Sequence, residues 1–220
     1  MSSAKEDILA RIRHAVGGSG ELRESDYAAI SRCYGQAALS SSEDRLKLFA
    51  ERLHDYDAVV YHCAQANVRE TVRQALTARA KHGLIVPAGI SQEWLPDGFL
   101  FVRDEGLSYD DMDKSEGVLT GCAVAIALTG TIVLRHSAAE GRRAITLVPD
   151  YHLCIVRREQ VVETVPEGIR EIAKYSGDPL TTISGPSATS DIEMTRIKGV
   201  HGPRTLDVIL VAESDAGSRL

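Results

Sequence analysis

The sequence predicts an α/β domain whose sheet is mostly parallel and covered by other elements on both faces, a three-layer αβα arrangement. Three observations lead there. Short, continuous apolar runs recur along the chain, each bounded by turn-forming or charged residues, as strands buried on both faces require. Several of these runs are separated by segments whose apolar residues repeat at helical spacing. The composition, 44% hydrophobic and 25% charged over 220 residues, supports one sizeable core.

The elements follow in order. Ser3 and Glu6 have the spacing of a capping box, and Ile8, Leu9, Ile12 and Val16 share one helical face before Gly17, Gly18 and Gly20 end the pattern. Residues 17–42 are polar and weakly periodic, with room for a short helix near Tyr27. Residues 1–40 therefore read as a helix with a linker arm, and residues 41–220 as the compact domain. Within it, Leu46, Phe49, Ala50 and Leu53 repeat at helical spacing, and 58–61 reads as a strand. A second helix begins near Asn67, carries Val68, Val72, Ala75 and Leu76 on one face, and is expected to end at Gly83. Residues 84–86 and 99–102 read as strands, followed by runs at 132–134, 145–148, 153–156, 180–183 and 208–211. A helix over 166–174 is capped by Thr164, with proline in its first turn. Three strand-like runs with little helix between residues 131 and 156 predict an antiparallel or mixed patch there.

Charge and composition narrow the function. The formal charge is −6, with no block of five or more like charges, so neither nucleic acid nor an anionic membrane is an expected partner. No apolar run is long enough to span a bilayer. Lys5, Glu6, Asp7, Arg11 and Arg13 interrupt the N-terminus where a signal core would lie. The expected location is the cytoplasm. The four cysteines, Cys33, Cys63, Cys122 and Cys154, show no CxxC spacing, which predicts reduced thiols and no cofactor bound by this chain, iron–sulfur clusters included. No metal-ligand spacing, P-loop or dinucleotide fingerprint is present.

Chemistry concentrates in four stretches. The first follows the strand at 180–183 and contains Gly185, Pro186, Ser187, Thr189, Ser190, Asp191 and Glu193. Gly185 permits an unusual backbone angle, and the hydroxyls and N–H groups after it suit a carboxylate or phosphate. The same residue types also serve as simple helix caps. The second stretch places His201 between Gly199 and Gly202, with Arg204 beyond. Histidine exchanges a proton near neutrality and arginine grips an oxyanion, although a tight turn with solvated side chains has the same composition. The third is Thr129-Gly130-Thr131, a glycine turn that can present hydroxyls to a ligand. In the fourth, Asp150 and His152 have the spacing of either an acid–base pair or an ordinary turn. His62 reads as a core or edge histidine and Trp94 as a packing anchor.

Taken in order, Thr129-Gly130-Thr131, Pro149 with His152, the run Gly185-Pro186-Ser187-Ala188-Thr189-Ser190-Asp191-Ile192-Glu193, and Gly199-Val200-His201-Gly202-Pro203 resemble the lactate-utilisation protein C family, also called LutC/YkgG or the LUD domain. The resemblance covers about residues 41–212. It departs at Leu128, where relatives often carry glutamate; Glu116 or Glu193 would replace that carboxylate only if the fold brought one of them there. The resemblance implies a fold like that of the NagB/RpiA/CoA-transferase group and a role in oxidising L-lactate to pyruvate beside companion proteins that carry iron–sulfur clusters.

Three functions are compatible with this reading. The chain is a non-redox subunit that binds a small carboxylate or organises its partners. There His201 and His152 are candidate proton acceptors, and Thr129, Gly130, Thr131, Gly185, Ser187, Thr189, Asp191, Glu193, Gly202 and Arg204 are candidate ligand-binding residues. Alternatively, it is a stand-alone enzyme like CoA transferases or 5-formyltetrahydrofolate cyclo-ligase, acting on a phosphate- or CoA-containing substrate. The third possibility is a structural or regulatory module docking through its N-terminal helix.

Overall fold

The computed structural model describes residues 4–15, 24–175, 177–190, 196–198 and 202–212. The chain divides into two compact units, Met1–Tyr34 and Gly35–Leu220. The first contains α1 (Ala4–Ala15) and α2 (Glu24–Ala28). No residue of α1 is buried, and Ile8 and Ile12 are more than half exposed. Beyond α2, the Arg32 guanidinium lies 4.6 Å from the centre of the Tyr27 ring and donates to the Ile30 carbonyl.

The second unit opens with residues 35–40, which the sequence had grouped with the arm. The backbone N–H groups of Ala38 and Ser40 donate to Glu167 and Glu163, each at 2.9 Å. Helix α3 (Ser42–Asp55) starts where Ser41 accepts a hydrogen bond from the Asp44 N–H, and it buries Leu46, Phe49, Ala50 and Leu53, the face its spacing predicts. Strand β1 (Val59–Ala64) leads into α4 (Val68–Ala78), which buries Val68, Val72, Ala75 and Leu76. The turn after α4 is made by Ala80, at φ 51°. Gly83 opens β2 (Gly83–Val86) instead of ending the helix, because a side chain there would collide with the Leu100 carbonyl on the next strand.

Strand β3 (Leu100–Arg103), the short helix α5 (Tyr109–Asp113) and β4 (Val118–Thr120) follow. Then come β5 (Val124–Ile126), β6 (Thr131–Arg135), β7 (Tyr151–Arg157) and β8 (Val161–Val162). Helix α6 (Val165–Ala173) has the full Thr164–Glu167 capping box and a proline in its first turn. Strands β9 (Leu180–Ile183), β10 (Ala188–Ser190), β11 (Arg196–Lys198) and β12 (Thr205–Ala212) complete the unit.

Six strands form one sheet in the order β1-β12-β7-β4-β2-β3. Every pairing within it is parallel, as the sequence predicts. Its centre, β12 beside β7, is buried almost throughout. Alternate residues of β12 enter different cores: Leu206, Val208 and Leu210 pack with α3 residues, whereas Ile209 and Val211 pack with α4 residues. Both faces are thus covered.

Two details depart from the sequence reading. The layer containing α3 also holds a second sheet, β8-β5-β6-β9, so that layer is not purely helical. Its β5–β6 and β6–β9 pairings are antiparallel. The antiparallel patch therefore exists, but β7 belongs to the parallel sheet. Residues 145–148 are not a strand: Arg143–Thr146 form a 3₁₀ turn. Ile145 is apolar because it fills a small core with Ile85, Met112 and Val118, a burial that makes no demand on strand geometry.

One polar group interrupts the central strand. Asp207 is fully buried and receives Arg79 Nε at 2.9 Å, Arg79 Nη2 at 2.6 Å and the Tyr151 hydroxyl at 3.1 Å. A buried carboxyl is tolerated only with partners of this kind.

Candidate functional site

The candidate site forms where β9 leaves the second sheet and β12 enters the first. Beyond β9 the chain must pass the end of α3. Gly185, at φ 83°, makes this possible, since a Cβ there would lie 2.5 Å from Tyr56 Cβ. Two residues later the Ser187 N–H donates to the Pro203 carbonyl at 2.8 Å. Between them β10 and β11 pair antiparallel, which returns the chain to its starting point. Gly202, at φ 109°, makes the final bend. Residues 185–187 and 202–203, separated in sequence, thus share one wall of a hollow of about 260 Å³.

The rest of the hollow comes from β9 residues Thr181 to Ile183, from Ser184, from Leu206 and His152 at the amino ends of β12 and β7, and from Arg143 and Thr146. His152 is fully buried, and its Nε2 shares a hydrogen bond of 2.8 Å with Thr120 Oγ1. Burial, reinforced by the nearby Arg143 charge, pushes its pKa down to about 4. The ring is consequently neutral at physiological pH. Among the described lining residues Arg143 is the one cation. It is half-buried, and its Nη1 donates to the Thr146 carbonyl at 3.0 Å.

The sequence candidates do not all reach the hollow. Gly185, Ser187, Gly202 and His152 line the hollow. Thr129 and Thr131 stand behind it: their hydroxyls are 2.7 Å apart, and that of Thr131 lies 2.8 Å from the Ser184 hydroxyl. Gly130, at φ 58°, passes Arg52 of α3, where a Cβ would lie 2.8 Å from Arg52 Cβ. Arg204 turns away to Asp150, with Nη2 to Oδ2 at 2.9 Å. Asp150 therefore pairs with Arg204, not with His152. Thr189 lies on β10, while Asp191, Glu193 and His201 fall outside the described residues. Glu116 does not replace the missing glutamate at Leu128; its carboxylate accepts the backbone N–H groups of His82 and Gly83 at the start of β2.

Arg143 is the residue that sequence reasoning missed. Its signal was the Arg142-Arg143 pair ahead of an apolar run, obscured by reading that run as a strand. The two arginines have different tasks: Arg142 is bound to Asp104 at 2.8 and 2.9 Å, whereas Arg143 faces the hollow.

The model of the LUD domain matches residues 4–211. The chain belongs to the LUD-domain family. This LUD-domain chain is 45% identical over 213 residues to a protein of Deinococcus radiodurans named lactate utilization protein C, covering 96% of each chain. It is 28% identical to a protein of the same name from an Exiguobacterium strain, covering 94% of this chain and 95% of that one. A crystal structure of a DUF162 family protein from Deinococcus radiodurans superposes with a TM-score of 0.69 at 44% identity, covering 79% of this chain and 99% of the other.

Among the described residues, no three His, Cys, Asp or Glu side chains are grouped to hold a metal ion, and no helix is long and apolar enough to cross a membrane. With one guanidinium, several hydroxyls and apolar contacts from Ile183 and Leu206, the hollow suits a small organic monoanion carrying a hydroxyl or carbonyl.

Proposed function

We propose that this LUD-domain protein is a cytoplasmic, non-redox subunit of an L-lactate-oxidising system and that it holds the three-carbon acid in the hollow between β9 and the amino ends of β7 and β12. The supporting observation is the convergence of residues 185–187 and 202–203, remote in sequence, on a cavity with room for a small acid and with one cation among its described lining residues. The name carried by the two full-length relatives supports the pathway. In this reading Arg143 meets the carboxylate, Ser187 and Ser184 offer hydroxyls, and neutral His152 forms a polar wall. Oxidation of lactate to pyruvate releases two electrons and two protons. The electrons pass to companion proteins that carry iron–sulfur clusters, consistent with cysteine spacings in this chain that do not match a cluster motif.

Calorimetric titration with L-lactate tests the binding role. Arg143→Gln is expected to weaken binding by about tenfold or more, the usual effect of losing a charge-assisted contact. In a strain lacking its own copy, the same variant should slow growth on lactate. Wild-type titration curves and growth for both Arg143→Gln and Ser187→Ala would refute the binding role and leave the chain as an organiser of its partners.

A further inference from the structure

The second unit holds a further cavity, larger than the hollow described above. It encloses about 460 Å³ and lies at the opposite end of the central strands, beyond the carboxyl ends of β4 and β7. Its position follows from the topology. The chain leaves β2 towards β3 at the edge of the sheet and leaves β4 for β5 of the second sheet, although β2 and β4 are neighbours. Connections that diverge from adjacent parallel strands open a crevice, and ligands of open α/β sheets bind there. Trp94 enters the cavity from the connection after β2, and Gly121 from the one after β4.

The lining is chemically divided. Arg135, at the end of β6, rests on the Tyr175 ring, 4.3 Å from its centre, and its nearest acid is Asp178 at 3.7 Å. Its Nε is buried and has no hydrogen-bond partner, an unmet donor that carries a cost. Glu140 is only 5% exposed. Its carboxyl receives the Ser137 hydroxyl, and among the described residues no ion pair is formed with it. Arg157 has the Glu159 carboxylate 2.9 Å away, although its Nε, like that of Arg135, is a buried donor without a hydrogen-bond partner, and Glu171 is paired with Lys174. Arg135, held by Asp178 only at 3.7 Å, and Glu140, with no cation beside it among the described residues, are thus the least matched charges of a cavity whose walls also include Val124, Ile155 and Val162.

We propose that this crevice binds a linear zwitterion, an amino acid with carboxylate and ammonium ends separated by a methylene stem. The carboxylate meets Arg135, the ammonium meets Glu140, and the stem lies along the apolar wall. A three-carbon hydroxy acid carries no cation for Glu140, which separates this site from the hollow at the other end of the strands. Gly121 forms part of the lining where a side chain would fit: a Cβ there would have only ordinary contacts, 3.9 Å from Trp94 and from the Ala139 carbonyl.

Trp94 is the single tryptophan of the chain, so intrinsic fluorescence reports on this cavity. The full chain is titrated with ω-amino acids from β-alanine to 6-aminohexanoate, and with dicarboxylates and diamines of the same lengths. A saturable fluorescence change is expected for at least one ω-amino acid below about 10 mM, within the range of weak specific binding. It should persist in saturating L-lactate and weaken by about tenfold in Arg135→Gln and in Glu140→Gln. Gly121→Ala, which adds one methyl to the cavity and disturbs no contact, should weaken it too. The proposal is overturned if no ω-amino acid gives saturation, if dicarboxylates or diamines bind equally well, or if Glu140→Gln and Gly121→Ala both titrate as wild type. Failure of lactate to bind at the other hollow would leave these outcomes unaffected.

Discussion

Single residues in this chain act through what surrounds them. His152 shows this most plainly. Unfolded, its imidazole takes up a proton near pH 6.5; folded, it resists until about pH 4. Between those values the unfolded chain binds more protons than the folded one, so stability falls as the pH falls through this window and is fully present above it. The difference amounts to roughly 3 kcal/mol once the pH reaches about 4. Urea unfolding measured at intervals from pH 7 to 4 should show a steeper acid-side loss in the wild-type chain than in His152→Gln, by up to about 1.4 kcal/mol per pH unit. Equal slopes would mean that the ring is not held neutral. The sequence placed this histidine in a plausible site, but its surroundings were hidden, because burial and the Arg143 charge depend on which distant segments pack against β7. Asp207 was hidden similarly. It sits in an apolar run, and its partners Arg79 and Tyr151 lie 128 and 56 residues away.

At the scale of elements, sequence patterns were most readable where a local rule decides the outcome. The helical faces of α3 and α4, the capping box of α6 and the apolar runs 153–156 of β7 and 208–211 of β12 all require only local spacing or local apolarity. Reading failed where apolarity had a nonlocal cause, as at Ile145, and where a glycine was kept for close approach, as at Gly83. Gly185 combines both constraints, a left-handed angle and contact with Tyr56. Gly185→Ala should therefore destabilise the second unit by about 1–3 kcal/mol, lowering the melting temperature by roughly 2–4 °C per kcal/mol for a domain of this size. Lactate affinity should fall with it, because the turn carries Ser187. A thermal scan matching that of the wild type would show that α3 yields easily and that the glycine is not required by packing.

Over the whole molecule, the parallel sheet presents two hollows at opposite ends of its central strands, and only one of them was traceable in the sequence. The hollow at the amino ends is built from contiguous stretches rich in Gly, Pro and Ser, which stand out in a linear reading. The crevice at the carboxyl ends draws single residues from many elements, and no motif announces it. The β10–β11 hairpin joins these ideas into a test. Among the described residues its strands pair only with each other, and Ser187 and Gly202, on either side of it, already lie close together. Replacing residues 188–201 with a four-residue Gly-Ser linker should leave the six-stranded sheet intact, with an unchanged far-ultraviolet circular dichroism spectrum and a melting temperature within a few degrees of the wild type, since closing a short loop costs little. The same variant should lose lactate binding if Thr189, Asp191, Glu193 or His201 completes the site. Undiminished lactate affinity would confine the site to the walls already described, with Arg143 as its anchor. Loss of the folded spectrum would mean instead that the hairpin helps hold β9 and β12 in place, a structural role for the stretch that most resembles the family.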